Sequence, residues 1–346
     1  MKKTILIAAL SIGAILFIAT LFFYNRFKTG GNVPSDLPES AQHLKIPSNS
    51  DFETVLDLLK NQGIISDEVV FRKLADYMEY KKNPMRSGRF KIDPGMSVVD
   101  LIRRLRNGSQ APVKVILTNE RMTKNVAAKV ARFLEPDSLD FLQLLQNEAY
   151  LADLGYNKDD LMTLFIPNTY EMYWDSSPED FVNRMIKEHE RFWNAKNRTQ
   201  KAEKIGLSKK EVYTLASIVE KETLRKDEKK RMAGVYYNRV QIGMRLQADP
   251  TAVFATQDFG TARVLNYHTN FDSPYNTYIY AGLPPGPIAM SSISSIDAVL
   301  DVEDHDYLYF CAVGDGSGYH NFAKSLSQHN RNARIYRANL KKRGLR

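Results

Sequence analysis

Residues 4–24 form an apolar run that contains no charged side chain. A helix of this length spans about 30 Å, the thickness of the hydrocarbon core of a bilayer. The run ends in Phe22-Phe23-Tyr24 rather than at small residues, and it is longer than the apolar core of a signal peptide, usually about 7–15 residues. It therefore predicts an uncleaved transmembrane helix within an anchor over 1–28, with a cleaved signal peptide as the alternative.

The basic residues beside this run account for much of the charge of the chain. Lys2 and Lys3 precede it, Arg26 and Lys28 follow it, and the whole chain has a formal net charge of +8. The rest is only mildly basic, which argues against nucleic acid as a partner and suits an anionic polymer. The charges on the two sides are balanced, so they indicate orientation only weakly. The single cysteine, Cys311, excludes an intrachain disulfide.

The chain after the apolar run begins with a linker and continues as alternating strand and helix patterns. Residues 29–41 are rich in Gly, Pro and Ser, which is typical of a linker. A strand followed by an amphipathic helix then recurs over 44–63, 90–108 and 113–133, with another helix over 66–80. Short strands with amphipathic helices favour the α+β class, as small modules that bind polymers or form scaffold.

Local signals place several further elements. Ser50-Asp51-Phe52-Glu53 and Ser208-Lys209-Lys210-Glu211 are capping boxes, and the second predicts a helix from about 209. Another helix is expected over 227–241. The segment 306–313 predicts a buried strand, and 330–346, which contains basic residues but no acid, predicts a solvated terminal helix.

The helix from about 209 carries two acids, Glu220 and Glu222, beside an apolar stripe. With Val212 at zero on a helical wheel of about 100° per residue, Glu220 falls at about +80° and Glu222 at about −80°. The acids flank opposite edges of the stripe, so they do not look like the two carboxylates of a glycosidase aimed at one bond. Geometry does not choose which of them is catalytic, and two solvated boundary residues are the structural alternative.

Ordered motifs accompany this helix along the rest of the chain. They are Leu215-Ala216-Ser217-Ile218-Val219-Glu220-Lys221-Glu222-Thr223, Tyr237-Asn238-Arg239, Gly243-Met244-Arg245-Leu246-Gln247-Ala248-Asp249-Pro250-Thr251, Tyr275-Asn276-Thr277-Tyr278, Gly282-Leu283-Pro284-Pro285-Gly286-Pro287-Ile288, Tyr307-Leu308-Tyr309-Phe310, His320-Asn321-Phe322 and His329-Asn330. Through these motifs, residues from about 40 to 340 resemble the endolytic murein transglycosylases, a family of membrane-anchored bacterial enzymes that cleave glycan strands of nascent peptidoglycan.

The resemblance implies a lyase that needs no cofactor or metal. It would cleave the bond between N-acetylmuramic acid and N-acetylglucosamine and leave 1,6-anhydro ends. The family's catalytic glutamate, the first acid of its Val-Glu-Lys-Glu motif, matches Glu220. We expect Glu220 to protonate the bridging oxygen and then, as a carboxylate, to take the proton of the C6 hydroxyl. Apolar flanks must raise its pKa from about 4.3 toward about 6 for this task.

The resemblance also implies an organisation and a cellular setting. Residues 42–112 are similar to a LysM-like module, and 113–346 correspond to a larger α+β catalytic domain. The chain would cross the bacterial cytoplasmic membrane once, with the catalytic domain on the extracytoplasmic side. Peptidoglycan strands would be its substrate, and peptidoglycan synthases its partners. A non-catalytic, membrane-tethered scaffold that binds peptidoglycan is the alternative from a different functional class.

Polar residues of the matching loops are the candidates for substrate binding. They are Gln247, Asp249, Tyr275, Asn276 and Thr277. Hydroxyl, amide and carboxylate groups suit sugar hydroxyls and N-acetyl groups, but Asn, Asp and Thr are equally suited to satisfying the loop backbone.

Two positions depart from the pattern of the family. The family often has Glu-Gly where this chain has Glu120-Arg121, and Pro-Asp-Thr-Tyr where it has Pro167-Asn168-Thr169-Tyr170. These departures concern local turns and substrate contacts rather than the catalytic helix. We further expect Arg239 and Arg245 to pair with muropeptide carboxylates or, preferably, with Glu222.

Overall fold

The computed structural model describes residues 13–18, 20–21 and 32–345. The chain divides into two compact units. The first comprises residues up to Lys114 together with 133–135 and 171–176, and the second comprises 115–132, 136–170 and the chain from Ser177 onward. Both units combine helices with short strands, which confirms the expected α+β class.

Most of the predicted membrane anchor lies outside the described residues. Of residues 1–28, only 13–18 and 20–21 are described, and these are helical. Within the described ranges, no helix combines the length and the apolar character needed to cross a membrane. The anchor therefore stays a prediction.

The first unit is built on a pair of antiparallel strands with helices packed beside them. Its described elements are β1 (His43–Ile46), α1 (Phe52–Asn61), α2 (Glu68–Tyr77), β2 (Gly88–Lys91) and α3 (Val98–Asn107). Leu44 of β1 lies opposite Phe90 of β2. Both side chains are fully buried and belong to one core with Phe71 of α2. Burial of these apolar side chains is the main term that stabilises the unit.

The start of α1 differs by one residue from the predicted capping box. The Thr54 amide donates to the Asp51 carboxylate at 2.8 Å, so Asp51 is the N-cap. Ser50 is buried and donates its hydroxyl to the Pro47 carbonyl at 2.7 Å instead. The expectation of a cap at Ser50 is therefore wrong, because an adjacent aspartate caps a helix as well as serine does.

The remaining elements lie wholly or mainly in the second unit. In chain order they are β3 (Val113–Leu117), α4 (Thr123–Val130), α5 (Ser138–Gln146), α6 (Glu148–Asp153), β4 (Asn168–Met172), α7 (Pro178–Asn194), α8 (Arg198–Lys204), α9 (Lys209–Glu222), α10 (Lys229–Gln241), α11 (Asp249–Thr256), α12 (Asn266–Thr269), α13 (Ile293–Leu300), β5 (Tyr309–Ala312), β6 (His320–Ala323) and α14 (Leu326–Lys342). β3 pairs with β4, and β5 pairs with β6 in an antiparallel ribbon.

Helix α9 is the centre of the second unit. All eight residues of Val212–Val219 are buried, because α10, α11 and α13 pack around the helix. The helical wheel predicted a single buried stripe, and that expectation is wrong for this segment, since a helix covered on several sides is buried all round. The start of α9 agrees with the sequence: Ser208 and Glu211 form the predicted capping box.

The C-terminal elements agree in part with the sequence. The strand predicted over 306–313 is shorter, at Tyr309–Ala312, and its residues are half-buried rather than buried. Helix α14 has no buried residues, as expected for a solvated terminal helix. The difference for β5 follows from its place in a two-stranded ribbon, which leaves one face only partly covered.

Replacing Ser208 with alanine removes the hydroxyl that accepts from the Glu211 amide at 3.2 Å. We expect the free energy of unfolding to fall by about 1 kcal/mol, measured by urea denaturation. Ser109→Ala is the control, because Ser109 is exposed in an irregular segment, and should change the value by less than about 0.5 kcal/mol. Equal values for Ser208→Ala and the wild type would show that the cap adds nothing.

Candidate active site

The last turn of α9 presents two acids to different surroundings. Glu220 and Glu222 are two positions apart, so their side chains point about 200° apart around the helix axis. Glu220 faces the N-terminal ends of α10 and α13, whereas Glu222 faces a cavity. Their chemistry must therefore be considered separately.

Glu220 is held in a buried ion pair. The Lys229 ammonium donates to Glu220 Oε2 at 2.8 Å, and the side chain of Lys229 is 7% exposed and that of Glu220 is 16% exposed. The hydroxyls of Ser292 and Ser295 donate to the same oxygen, each at 2.5 Å. Lys229 also donates to Ser295 Oγ at 2.8 Å, which closes a network across three helices.

This network sets the ionisation of Glu220. Burial alone would raise the pKa of Glu220, but the hydrogen bonds from Lys229, Ser292 and Ser295 outweigh it and hold the pKa below its ordinary value. The expectation of a pKa near 6 is therefore wrong, because donors and a cation stabilise the charged form of this carboxyl. Near neutral pH, Glu220 is a carboxylate with no proton to donate.

Glu222 has the properties that the sequence assigned to its neighbour. Burial, together with a smaller effect of the Asp249 charge, raises the pKa of Glu222 to about 7, against the opposing effects of the Tyr236 hydroxyl and the Arg239 charge. The Tyr236 hydroxyl donates to Glu222 Oε1 at 3.0 Å, which leaves Oε2 to carry the proton. Glu222 is thus the acid of α9 that retains a proton near neutral pH.

Glu222 borders two cavities. The first, which we call the acid cavity, has a volume of about 330 Å³ and is lined by Arg121, Lys221, Glu222, Asp249, Pro250, Val253, Phe254, Phe259 and Ile288. The second, the glycine-loop cavity, has a volume of about 440 Å³ and is lined by Glu222, Thr223, Leu224, Arg225, Ala312, Gly316, Ser317, Gly318 and His320. An extended ligand can therefore contact the protein on both sides of the Glu222 carboxyl.

A third cavity continues from the acid cavity. It has a volume of about 260 Å³, shares Arg121 and Phe254 with the acid cavity, and is also lined by Tyr275, Asp159 and Lys158. We call it the adjoining cavity. The backbone is close-packed at its edge, because a Cβ added to Gly286 would lie 1.8 Å from the Asp159 carbonyl oxygen. The segment after Gly282 therefore forms a tight wall beside the cavity.

Two of the five predicted binding residues line these cavities. Asp249 lies in the acid cavity and accepts a hydrogen bond from the Tyr278 hydroxyl. Tyr275 lies in the adjoining cavity, and its hydroxyl donates to the Asp159 carboxylate at 3.1 Å. Gln247 is exposed, has a left-handed backbone conformation at φ 47°, and lines none of the three cavities.

The other two predicted binding residues are structural. Asn276 is fully buried, and its side-chain amide donates to the carbonyls of His268, Thr269 and Phe271. Thr277 is 1% exposed, and its hydroxyl lies 2.8 Å from that of Thr251. Both side chains satisfy polar groups inside the fold, so neither can reach a ligand.

The expected pairing of two arginines with Glu222 is wrong. The Arg239 guanidinium donates to the carbonyls of Leu308 and Leu246, at 2.7 and 2.6 Å. Arg245 donates to the Tyr278 carbonyl at 3.3 Å. Because neighbouring loops present free carbonyls, both arginines are engaged by the backbone. Across the described ranges, no group of His, Cys, Asp and Glu is arranged to hold a metal ion.

Several residues of the cavities were not among the predicted site residues. Phe259 carries no distinctive spacing in the sequence, so no sequence signal identifies it, whereas Lys221 lies between the two acids of the helix motif and was passed over in favour of them. His320 lines the glycine-loop cavity, and its Nδ1 lies 2.9 Å from the buried Glu228 carboxylate. The two residues are 92 positions apart, so only the fold reveals the pair.

The model of the YceG-like family matches residues 44–335. The chain belongs to this family. The resemblance drawn from the sequence motifs is thereby confirmed.

Relatives of this YceG-like chain carry a consistent name. The endolytic murein transglycosylase of Bacillus subtilis is 30% identical over 306 residues, which cover 84% of this chain and 83% of the relative. A protein of the same name from Streptococcus pneumoniae is 27% identical over 94% of this chain and 65% of its own length. The crystal structure of a yceG-like protein from Listeria monocytogenes has a TM-score of 0.56 and 27% identity, over 84% of this chain and 97% of that one.

Glu220→Gln is expected to destabilise this protein. The variant leaves the buried Lys229 ammonium without a counter-charge. We therefore expect the free energy of unfolding at pH 7, measured by urea denaturation, to fall by about 3 kcal/mol. Because the pKa of Glu220 is lowered by folding, the loss should persist at higher pH and shrink as the pH falls below about 4.5. Glu303→Gln, which weakens a more exposed pair with Arg231, should cost less than about 1 kcal/mol. A loss of similar size in both variants would contradict the structural importance of the buried pair.

Glu222→Gln, unlike Glu220→Gln, is expected to stabilise the folded protein. The folded protein must ionise a buried carboxyl at high pH, so removing its charge should stabilise the fold by about 2 kcal/mol at pH 8. The increase in the free energy of unfolding should be absent below about pH 4.5, grow between about pH 4.5 and 7, and stay constant at higher pH. Urea denaturation of both proteins across this pH range measures it, and a gain that is independent of pH would refute the raised pKa.

Proposed function

We propose that this protein is an endolytic murein lytic transglycosylase. It is a lyase that cleaves the bond between N-acetylmuramic acid and N-acetylglucosamine within a glycan strand and leaves a 1,6-anhydro end. The observation that carries the proposal is the Glu222 carboxyl, which has a pKa of about 7 and lies between two cavities. The names of the Bacillus and Streptococcus relatives support the same reaction.

Glu222 acts first as a general acid. Its proton, on Oε2, passes to the bridging oxygen as the bond between C1 of the muramic acid and that oxygen breaks. A pKa near 7 suits this step, because the acid is still largely protonated at neutral pH and yet donates readily. The Tyr236 hydroxyl on Oε1 then stabilises the carboxylate that forms.

The same carboxylate completes the reaction as a base. It takes the proton of the C6 hydroxyl while O6 bonds to C1, so the 1,6-anhydro ring closes and Glu222 regains its proton. No water is consumed and no second carboxylate is needed. Glu220 is unsuited to act as a nucleophile, since three donors occupy its Oε2 and helices α10 and α13 cover it.

We therefore place the catalytic acid at Glu222 rather than at Glu220. Glu220 acts as a positioning residue, because its contacts with Lys229 and Ser295 fix the end of the helix that carries Glu222. Asp249 in the acid cavity and Tyr275 in the adjoining cavity are suited to contact sugar hydroxyls. Two cavities that meet at one acid support cleavage within a strand, since sugars extend on both sides of the bond.

The remaining predictions complete the proposal. Residues 1–28 would anchor the chain in the bacterial cytoplasmic membrane, with the enzyme on the extracytoplasmic side where nascent strands are made. Residues 42–112 would serve as a LysM-like module that holds glycan, and 113–346 as the catalytic domain. Peptidoglycan synthases would be partners, since the enzyme would release the strands that they extend. A non-catalytic scaffold is less well supported, because it needs no acid with a raised pKa.

Paired variants test the assignment of the acid. Glu222→Gln should abolish release of anhydro-ended glycan from uncross-linked strands, a loss of about 1000-fold or more, while its fold is intact or stabilised. Glu220→Gln, measured at a temperature where it remains folded, should retain product formation with a smaller loss. Mass spectrometry identifies the product, because a hydrolase would leave reducing ends that are heavier by one water.

The pH dependence gives an independent check of the same proposal. In the wild type, kcat/KM should fall as the pH rises through about 7, because the acid loses its proton in the free enzyme. Anhydro products from Glu222→Gln, together with their loss in folded Glu220→Gln, would move the acid to Glu220. Wild-type protein that binds strands without producing anhydro ends would instead favour the scaffold.

A further inference from the structure

Arg121 occupies an unusual position for a cation. It lines both the acid cavity, which Glu222 borders, and the adjoining cavity. Within the described part of the chain, no acidic side chain lies within ion-pair distance of its guanidinium. An arginine that faces a cavity without an acidic partner is free to bind an anion from outside.

Aromatic contact fixes the orientation of this guanidinium. It lies 4.5 Å from the centroid of the Phe259 ring. Phe259 is itself 37% exposed and lines the acid cavity. Stacking on an aromatic face holds the planar fork in place while its N–H groups remain available for a bidentate contact.

Lys221 adds a second cation to the same cavity. It is half-buried and lines the acid cavity together with Arg121, and burial and the Arg121 charge lower its pKa against the opposing effect of the Glu220 charge. Across the described ranges, Lys221 forms no ion pair either. The Asp249 carboxyl, which lines the same cavity, already accepts a hydrogen bond from the Tyr278 hydroxyl. Two cations that line one cavity and form no ion pair among the described residues favour an anionic ligand over a neutral one.

We propose that Arg121, stacked on Phe259 and assisted by Lys221, binds the carboxylates of the stem peptide that a muramic acid residue carries. Arg121 is then a specificity-determining residue for peptide-bearing strands. This inference rests on the proposed function and deepens it. It places a peptide-bearing muramic acid on the acid-cavity side of Glu222, because the neutral N-acetylglucosamine offers no charge to pair with.

The test combines two proteins with two substrates. Wild type and Arg121→Gln act on uncross-linked strands whose stem peptides keep their carboxylates, and on the same strands with those carboxylates coupled to methylamine. Coupling removes the charge and keeps the peptide. On free strands, Arg121→Gln should lose about tenfold in kcat/KM, mostly through KM. On coupled strands, the two proteins should be equal.

Further variants separate recognition from general charge effects. Arg132→Gln removes the same charge from an exposed position outside the three cavities, and it should behave as the wild type on both substrates. Arg121→Lys keeps the charge but not the fork, so its loss should be smaller than that of Arg121→Gln. Added salt should raise KM for the wild type on free strands more than for Arg121→Gln.

Some outcomes would overturn the inference. Equal losses for Arg121→Gln on free and coupled strands would show a structural effect, and no loss on free strands would exclude binding by Arg121. Failure of the proposed function looks different, because the wild type would then release no anhydro ends from either substrate. The contribution of Arg121 to binding can also be measured without turnover. For this, the Kd for the same strands is compared between Glu222→Gln and the double variant Glu222→Gln plus Arg121→Gln.

Discussion

The contact between the Glu220 carboxylate and the Lys229 ammonium is the interaction on which the site depends. Lys229 begins α10, and Ser295, which donates to the same carboxylate oxygen, lies in the first turn of α13. The Oε2 atom of Glu220 on α9 thus accepts hydrogen bonds from residues at the N-terminal ends of two other helices, α10 and α13. Burying two charges carries a large desolvation cost, and only a geometry in which donors surround the carboxylate offsets it. The end of α9 is consequently held in one position, and Glu222 with it.

The same contact separates the ionisation of two acids that are close in sequence. Glu220 has a cation and two hydroxyl donors, so its charged form is stabilised and its pKa is low. Glu222 has one hydroxyl donor and a cavity wall that includes Phe254 and Ile288, so burial dominates and its pKa rises. In the proposed mechanism, the two carboxyls of this helix turn have two tasks, one positional and one chemical, and their environments decide which carboxyl has which task.

The sequence predicted the elements better than it predicted the site. The capping box of Ser208 and Glu211 correctly places the start of α9, because caps and their targets are neighbours in the chain. The motifs also identify the family. The helix pattern left the choice between Glu220 and Glu222 open, and the family resemblance assigned Glu220. The ionisation of the two acids could not be predicted from the sequence, since the serines that bind Glu220 are more than 70 positions away and desolvation depends on packing. Asn276 was chosen for its chemistry, yet the fold uses that chemistry internally.

The position of Glu222 at the end of α9 adds to the effect of burial. The last carbonyls of a helix carry a partial negative charge, which disfavours a carboxylate there and favours the protonated acid. If every group around a carboxyl destabilised its charged form, its pKa would be so high that it could not readily donate its proton. The Tyr236 hydroxyl and the Arg239 charge act in the other direction and lower the pKa. The pKa of about 7 results from burial and the Asp249 charge on one side and these two groups on the other. In the proposed reaction, such a pKa would permit Glu222 to be neutral at rest and charged for one step.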